Sequence, residues 1–210
     1  PVAGLAEAAA LGAAAHDLHA DPILDDLGER HDRHRGLVRG VELVDPDPAD
    51  GKRLWWCVGA GDAASPVVGA GIVYADNGRG GPGVAVDPTG SGDVAKTHLK
   101  WTSRDAVGIV GSPVIVGDLI YRMRSNSVKC VRADTGALVQ AINTNAKVSD
   151  WASPIADPRG YIYFATAGQT VVVKTGPKPE VVAVNDLGDP NHASAAASKG
   201  RLFLVGTKNI

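Results

Sequence analysis

Several groups of residues in this chain have types and spacings that chemistry uses. His16-x-x-His19 and His31-x-x-His34 place four imidazoles within 19 residues, the pattern closest to a metal site. Structural zinc usually recruits Cys beside His, so these read as solvated histidines on a polar stretch. Gly59-Ala60-Gly61-Asp62-Ala63-Ala64 has the Gly-x-Gly-x-x-Ala form of a dinucleotide loop, which needs a helix next to aim amides at a pyrophosphate. The next residues are Ser65-Pro66-Val67-Val68-Gly69, which cannot begin such a helix, so the segment reads as a turn between strands. Asp45-Pro46-Asp47-Pro48-Ala49-Asp50-Gly51 resembles a calcium loop, but Ala49 and Trp56 stand where an EF-hand needs an oxygen ligand and a Glu. His98 with Asp93 and Lys96 is the best polar group of the later chain, and it reads as a loop contact. Cys57 and Cys130 sit in no Cys-x-x-Cys pair, which removes a zinc ribbon and a redox dithiol. No catalytic set, metal site or cofactor site is expected from these residues.

The elements that position them can be read from composition. The chain has 210 residues, 21 Lys and Arg against 23 Asp and Glu, and 44% hydrophobic content. That is enough to bury a core, and it supplies no positive field for a nucleic-acid partner. No apolar stretch reaches membrane-helix length. Residues 1–40 hold four of the six histidines and no aromatic residue, and their leucines lack helical spacing. They read as an N-terminal arm, helical or disordered, with Glu7 interrupting what would otherwise resemble a signal peptide. There is no initiator Met, so the chain is read as a processed or partial one.

Residues 41–210 read as repeats, since self-similarity at a fixed period outranks local propensity. Ser65-Pro66, Ser112-Pro113, Ser153-Pro154 and Ser194-Ala195 recur at spacings of 47, 41 and 41 residues. Each is followed by a Gly-containing turn and then an aromatic residue, Tyr74, Tyr121, Tyr163 or Phe203, at offsets of 8, 8, 9 and 8. A later landmark, Asp47-Pro48-Ala49-Asp50-Gly51-Lys52-Arg53-Leu54-Trp55, is echoed by Ala133-Asp134-Thr135-Gly136-Ala137-Leu138-Val139-Gln140. It encodes a tight Gly turn between two strands, the second ending in a bulky docking residue. Unit length and turn chemistry match a four-stranded propeller blade of about 40–45 residues. Val73, Ile120, Ile162 and Leu202, each just before its aromatic landmark, should occupy equivalent positions in successive sheets.

Units of the form Ser-Pro-x-x-x-Gly-x-x-x-Tyr, then Asp-x-x-Thr-Gly-x-x-x-Trp, resemble the pyrroloquinoline-quinone-like (quinoprotein-like) β-propeller repeats, specifically non-enzymatic bacterial members of planctomycete type. The resemblance covers about residues 45 to 210. Its most specific stretches are Gly90-Ser91-Gly92-Asp93-Val94-Ala95-Lys96-Thr97-His98-Leu99-Lys100-Trp101 and Val171-Val172-Val173-Lys174-Thr175-Gly176-Pro177-Lys178 leading to Asn185-Asp186-Leu187-Gly188. Gln140 stands where a docking Trp is expected, Arg132 replaces the usual Asp, and Ala195 replaces Pro. Trp56 and Trp101 are the docking candidates, and Trp151 is placed to line the central channel.

The resemblance implies an all-β chain, a partial propeller of about three and a half four-stranded blades behind the arm. Enzymatic relatives hold their quinone over calcium, often with a disulfide between adjacent cysteines. Cys57 and Cys130 are 73 positions apart, and Asn185-Asp186, which could offer oxygens, resembles a structural turn of the non-enzymatic members, so no quinone, calcium or nucleotide is expected. The leading reading is a non-catalytic scaffold that presents loops to a protein or polysaccharide partner, as outer-membrane assembly members of the family do for proteins. The competing one is a piece of a quinone-dependent oxidoreductase whose cofactor residues lie outside this chain. Both imply a periplasmic or exported location. Exposed apolar faces and unpaired edges on an open arc imply self-association.

Overall fold

The computed structural model describes residues 42–47, 49–58, 64–76, 82–105, 110–147, 151–190 and 193–208. The expected arm, residues 1–40, and most of the Gly59–Ala64 loop lie outside them. The described residues form strands and turns, with no helix among them. Three complete four-stranded antiparallel sheets stand between two partial ones. Blade I consists of β1 (Glu42–Pro46) and β2 (Arg53–Val58), joined by the short β6 (Gly92–Asp93). Blade II consists of β3 (Val67–Gly69), β4 (Ile72–Ala75), β5 (Gly83–Val86) and β7 (Leu99–Ser103). Blade III comprises β8 (Val114–Val116), β9 (Leu119–Arg124), β10 (Ser127–Arg132) and β11 (Leu138–Asn143). Blade IV has β12 (Ile155–Ala156), β13 (Tyr161–Ala165), β14 (Gln169–Lys174) and β15 (Glu180–Asp186), and blade V pairs β16 (Ala196–Ser198) with β17 (Arg201–Phe203). The partial propeller of four-stranded blades read from the repeats is therefore the observed architecture, with the partial blades divided between its two ends.

The first strand of each unit is two or three residues long, and the fourth strand of the complete blades five to seven. The short strands meet, β3 against β8 and β8 against β12, where the sheets converge. Crowding there demands glycine: a Cβ on Gly69 would lie 2.8 Å from Ile115, and one on Gly111 would lie 2.3 Å from the Ala152 carbonyl. The long fourth strands lie at the diverging rim.

Alternation places successive side chains in the two seams that flank each blade. Between blades I and II, Leu43, Trp55, Cys57, Val73, Ala75, Val84, Val86 and Val94 form one cluster. Ile72, Tyr74, Ala85, Trp101, Ile120, Val131 and Ala133 fill the seam between II and III. The seam between III and IV holds Tyr121, Val128, Cys130, Ile162, Phe164, Val171 and Val173. Strand β4 thus sends Val73 and Ala75 one way and Ile72 and Tyr74 the other. Tyr74, Tyr121, Tyr163 and Phe203 sit opposite Val67, Val114, Ile155 and Ala196 in the pairing of first and second strands. Val73, Ile120, Ile162 and Leu202 accordingly hold equivalent positions. Burial raises the Cys130 thiol to about 11 and the Tyr121 phenol to about 12, so both stay neutral.

The middle seam departs from this apolar rule. Arg122, one residue past Tyr121, meets Asp76, two past Tyr74: Nη2 donates to Oδ1 at 3.0 Å and Nε lies 2.8 Å from Oδ2. The two side chains are 3% and 0% exposed, so water does not screen the pair. The corresponding positions in the next seam are Phe164 and Met123, which pack as hydrocarbon. Arg122→Met alone leaves a buried carboxylate uncompensated and should destabilise by about 3–5 kcal/mol. Arg122→Phe with Asp76→Met copies the neighbouring seam and should recover most of that loss. Urea unfolding of the two variants checks this, and a double variant as unstable as the single one refutes it.

The turns are held by short acidic side chains. Asp47, Asp50, Asp87, Asp93, Asp157 and Asp186 each accept the backbone N–H two residues on, the Asx-turn geometry. Bonding to Thr89, with Lys100 at 3.1 Å, draws the Asp87 carboxyl down to about 2. Burial raises Asp157, but its bonds from Arg159, the Tyr161 amide and Tyr163 outweigh that and hold it below the ordinary aspartate value. Lys52 lowers Asp50, and the Gly188 amide lowers Asp186. A carboxyl depressed in the fold contributes stability above its unfolded pKa and loses it as pH falls through the folded value. The unfolding midpoint should therefore decline between pH 3.8 and about 2, and Asp87→Asn should flatten that decline; a midpoint independent of pH over this window counts against these bonds.

Candidate functional site

The repeat landmarks converge on the lines where blades meet, one line at the axis and one at the rim. At the axis, the Ser65 amide donates to the Ser112 hydroxyl at 3.0 Å, the Ser112 amide to Ser153 at 2.9 Å, and the Ser153 amide to Ser194 at 2.9 Å. Ser112 and Ser153 each present an amide to the following blade and a hydroxyl to the preceding one. The register of this ladder explains why the fourth copy keeps Ser194 while losing its proline: the bond uses only the serine. Pro66 and Pro154 are half-buried and Pro113 is buried, each sending the chain into a first strand without needing a donor. Beside the third step, Trp151 is 62% exposed, the most exposed large apolar side chain among the described residues.

At the rim, blades I to IV repeat one irregularity. The outermost pair carries a bulge in which the fourth strand holds one extra residue: Leu54, Lys100, Val139 and Val182. The next residue is opposite the partner strand again, and this position is Trp55, Trp101, Gln140 and Ala183. In blade II this position is held by Trp101, which reaches across to blade III. Its ring lies 5.6 Å from Tyr74, its Nε1 donates to the Ala133 carbonyl of blade III at 2.9 Å, and its face covers Gly136.

Trp56, the other docking candidate, does not occupy that position. Trp55 enters the core at 2% exposure, because the bulge at Leu54 sets the inward alternation one residue earlier than the indole at Trp56. Trp56 faces outward, half-buried, with the Arg53 guanidinium 4.1 Å from its ring centroid. The spacing from Asp47 and Gly51 to Trp55, matched by the spacing to Gln140, carried this signal.

A feature with no strand propensity completes the rim of the first seam. The connection from β5 to β7 reaches back so that β6 runs parallel to β2, with Gly92 opposite Trp55 and Asp93 opposite Trp56. The Val94 amide donates to the Trp56 carbonyl at 3.0 Å, and its side chain is fully buried among Trp55, Cys57 and Val86. His98 serves this loop: its amide donates to the Val94 carbonyl, and Nδ1 contacts the Thr97 hydroxyl at 2.8 Å. Asp93 accepts the Ala95 amide.

The remaining candidates among the described residues lie apart from one another on turns and outer strands. Arg132, in place of the usual Asp, forms a two-bond pair with Asp134 at the surface. Asn185 and Asp186, the oxygens considered for a calcium-held quinone, lie on the outermost strand, where Asp186 bonds the Gly188 amide and pairs with Lys147 at 3.6 Å. They end an outer strand, with Asp186 solvent-facing and committed to the turn that follows, and do not fit that cofactor. Among the described residues no three His, Cys, Asp or Glu are grouped to hold a metal ion, and no helix is long and apolar enough to cross a membrane.

Gly136 tests the docking geometry directly. Its φ of +69° is a left-handed conformation, and an added Cβ would lie 2.5 Å from the Trp101 ring. Gly51, at φ +70°, has nothing within 4 Å of that position. Gly51→Ala should cost only the conformational strain, about 1–2 kcal/mol, whereas Gly136→Ala adds overpacking and should lose about 2–5 kcal/mol. Equal losses in thermal unfolding would mean that Trp101 does not press on this turn.

No protein-family model and no curated protein matches the chain. Among solved structures, BamB from Moraxella catarrhalis aligns with a TM-score of 0.61 at 14% identity, over 80% of this chain and 51% of BamB. The quinohemoprotein alcohol dehydrogenase ADHIIG from Pseudomonas putida HK5 aligns at 14% identity with a TM-score of 0.45, over 75% of this chain and 25% of its own. A europium-containing methanol dehydrogenase gives 0.39 at 14% identity, over 70% and 25%. The chain thus has the β-propeller fold, in a stretch spanning about half the length of BamB.

Proposed function

We propose that this chain is a non-catalytic β-propeller segment that presents rim strands and loops to a protein partner. The observation that carries this reading is a run of aliphatic side chains that blade packing does not use. Leu138 and Val139 on β11 and Val182 and Val184 on β15 are 39–45% exposed, on consecutive blades. Apolar side chains left exposed on outer strands are available for association, and aliphatic strand edges suit a polypeptide better than a sugar. A polysaccharide partner would instead use Trp151 as a stacking platform. The planctomycete-type assignment and a periplasmic or exported location rest on the repeat resemblance and belong to this proposal.

The competing reading, a piece of a quinone-dependent oxidoreductase, is separated by reconstitution. The chain incubated with pyrroloquinoline quinone and calcium, then desalted, should retain no stoichiometric quinone absorbance and should show no dye-linked alcohol oxidation. Retained quinone with activity would overturn the scaffold reading. Light scattering supplies a second check: β17 pairs only with β16 among the described residues, and Phe203 on it and Val205 just after it are 42% and 46% exposed. The 210-residue chain should self-associate with rising concentration, and a strictly monomeric chain contradicts the open-edge picture.

A further inference from the structure

Three successive rim grooves can be compared residue by residue, because the bulge sets a common register. In the first, an extended segment of the chain itself occupies the groove: β6 adds to the outer edge of β2, the Val94 amide donates to the Trp56 carbonyl at 3.0 Å, and the Val94 side chain plugs the seam. In the second, the Trp101 indole reaches Ala133 and Gly136 and closes the space. In the third, between β11 and β15, neither device is present among the described residues. The docking position holds Gln140, half-buried, and an open groove of about 550 Å³ remains, lined by Gln140, Ile142, Thr144, Pro179, Val181 and Val184.

We propose that this third groove binds an extended strand of a partner protein, in the way that the Gly92-Asp93-Val94 segment binds the first. The proposal rests on the scaffold reading and names its partner's chemistry. Register fixes the mode: Trp55 and Trp56 correspond to Gln140 and Ala141, so the incoming strand runs parallel to β11. Its backbone amide meets the Ala141 carbonyl where Val94 meets Trp56. Strand addition supplies affinity through main-chain bonds and specificity through the pocket for one side chain. The small residue of the segment must pass the bulge, as Gly92 does at φ +68°. The following side chain must be large and apolar, because the pocket lacks the indole that Trp101 contributes to the seam before it. A partner sequence of the form Gly-polar-aromatic or Gly-polar-leucine meets these requirements.

The probe is a synthetic nonapeptide, residues 90–98 of this chain with Val94 replaced by Trp, titrated against the full 210-residue protein by fluorescence anisotropy. Binding should be saturable, and it should weaken at least tenfold in Gln140→Trp, which fills the groove with the side chain blade II already carries at that position. Circular dichroism of Gln140→Trp should match that of the parent and its unfolding midpoint should equal or exceed the parent's, so that lost binding is not lost fold. Substituting the peptide's apolar residue with Asp should abolish binding. No binding, or binding unchanged by Gln140→Trp, overturns the proposal. So does loss of self-association, rather than of peptide binding, in that variant, since a second copy would then be the occupant. Failure of the peptide together with a negative quinone reconstitution rejects the groove while leaving the scaffold reading intact.

Discussion

The sheets of blades II and III are each buried on both faces, and the rest of the structure answers to that demand. A solvated sheet can alternate apolar and polar residues. Here the second and third strands read as nearly continuous apolar runs, Ile72-Val73-Tyr74 or Val171-Val172-Val173, because successive side chains enter different seams. No blade contains a core of its own; the cores lie between blades. Stability is then a sum of nearest-neighbour interfaces, and substitutions act on pairs of repeats. Asp76 and Arg122 illustrate this, since neither residue makes sense within its own unit.

Radial geometry divides the problem into an inner and an outer one. Near the axis the sheets are too close for side chains, so strands shorten, Gly69 and Gly111 lose the Cβ, and serine hydroxyls join one blade to the next through backbone amides. Toward the rim the sheets diverge, and the seam must be filled by something larger than Val or Ile. An indole on the fourth strand does this for blade II, and it requires a glycine in the facing turn. The bulge repeated in all four outer strands aims that position inward while turning Leu54, Lys100, Val139 and Val182 to solvent.

The inner problem is legible in the sequence. Ser-Pro steps and aromatic landmarks are local, close in spacing, and fixed by strand alternation, so Tyr74, Tyr121 and Tyr163 align from the sequence alone. The outer problem is legible only in part. Adjacent Trp55 and Trp56 differ in fate by a single bulged residue, and a one-residue register change moves a side chain to the other face. Strand β6 carries no local signal: Gly and Asp are poor strand formers, and their pairing with β2 is set by a loop returning from another blade. The ion pair between Asp76 and Arg122 spans 46 positions and looks in sequence like two ordinary surface charges.

The docking position is where these repeats diverge most, and its chemistry decides what a seam can do. In blade I the rim is closed by a segment of the same chain, which is tethered and therefore acts at high effective concentration. In blade II it is closed by a covalent part of the strand, so that surface is committed to the fold. Replacing the indole by Gln140 removes apolar area that would otherwise stabilise the contact between blades III and IV. The loss is tolerable because Tyr121, Phe164 and Val171 already seal the deeper seam, while the Tyr121 hydroxyl accepts the Gly176 amide at 3.3 Å. A repeat array can therefore surrender one rim contact without opening its core, and the vacated position remains framed by two edge strands whose main-chain groups are set by the same register as those that already bind β6.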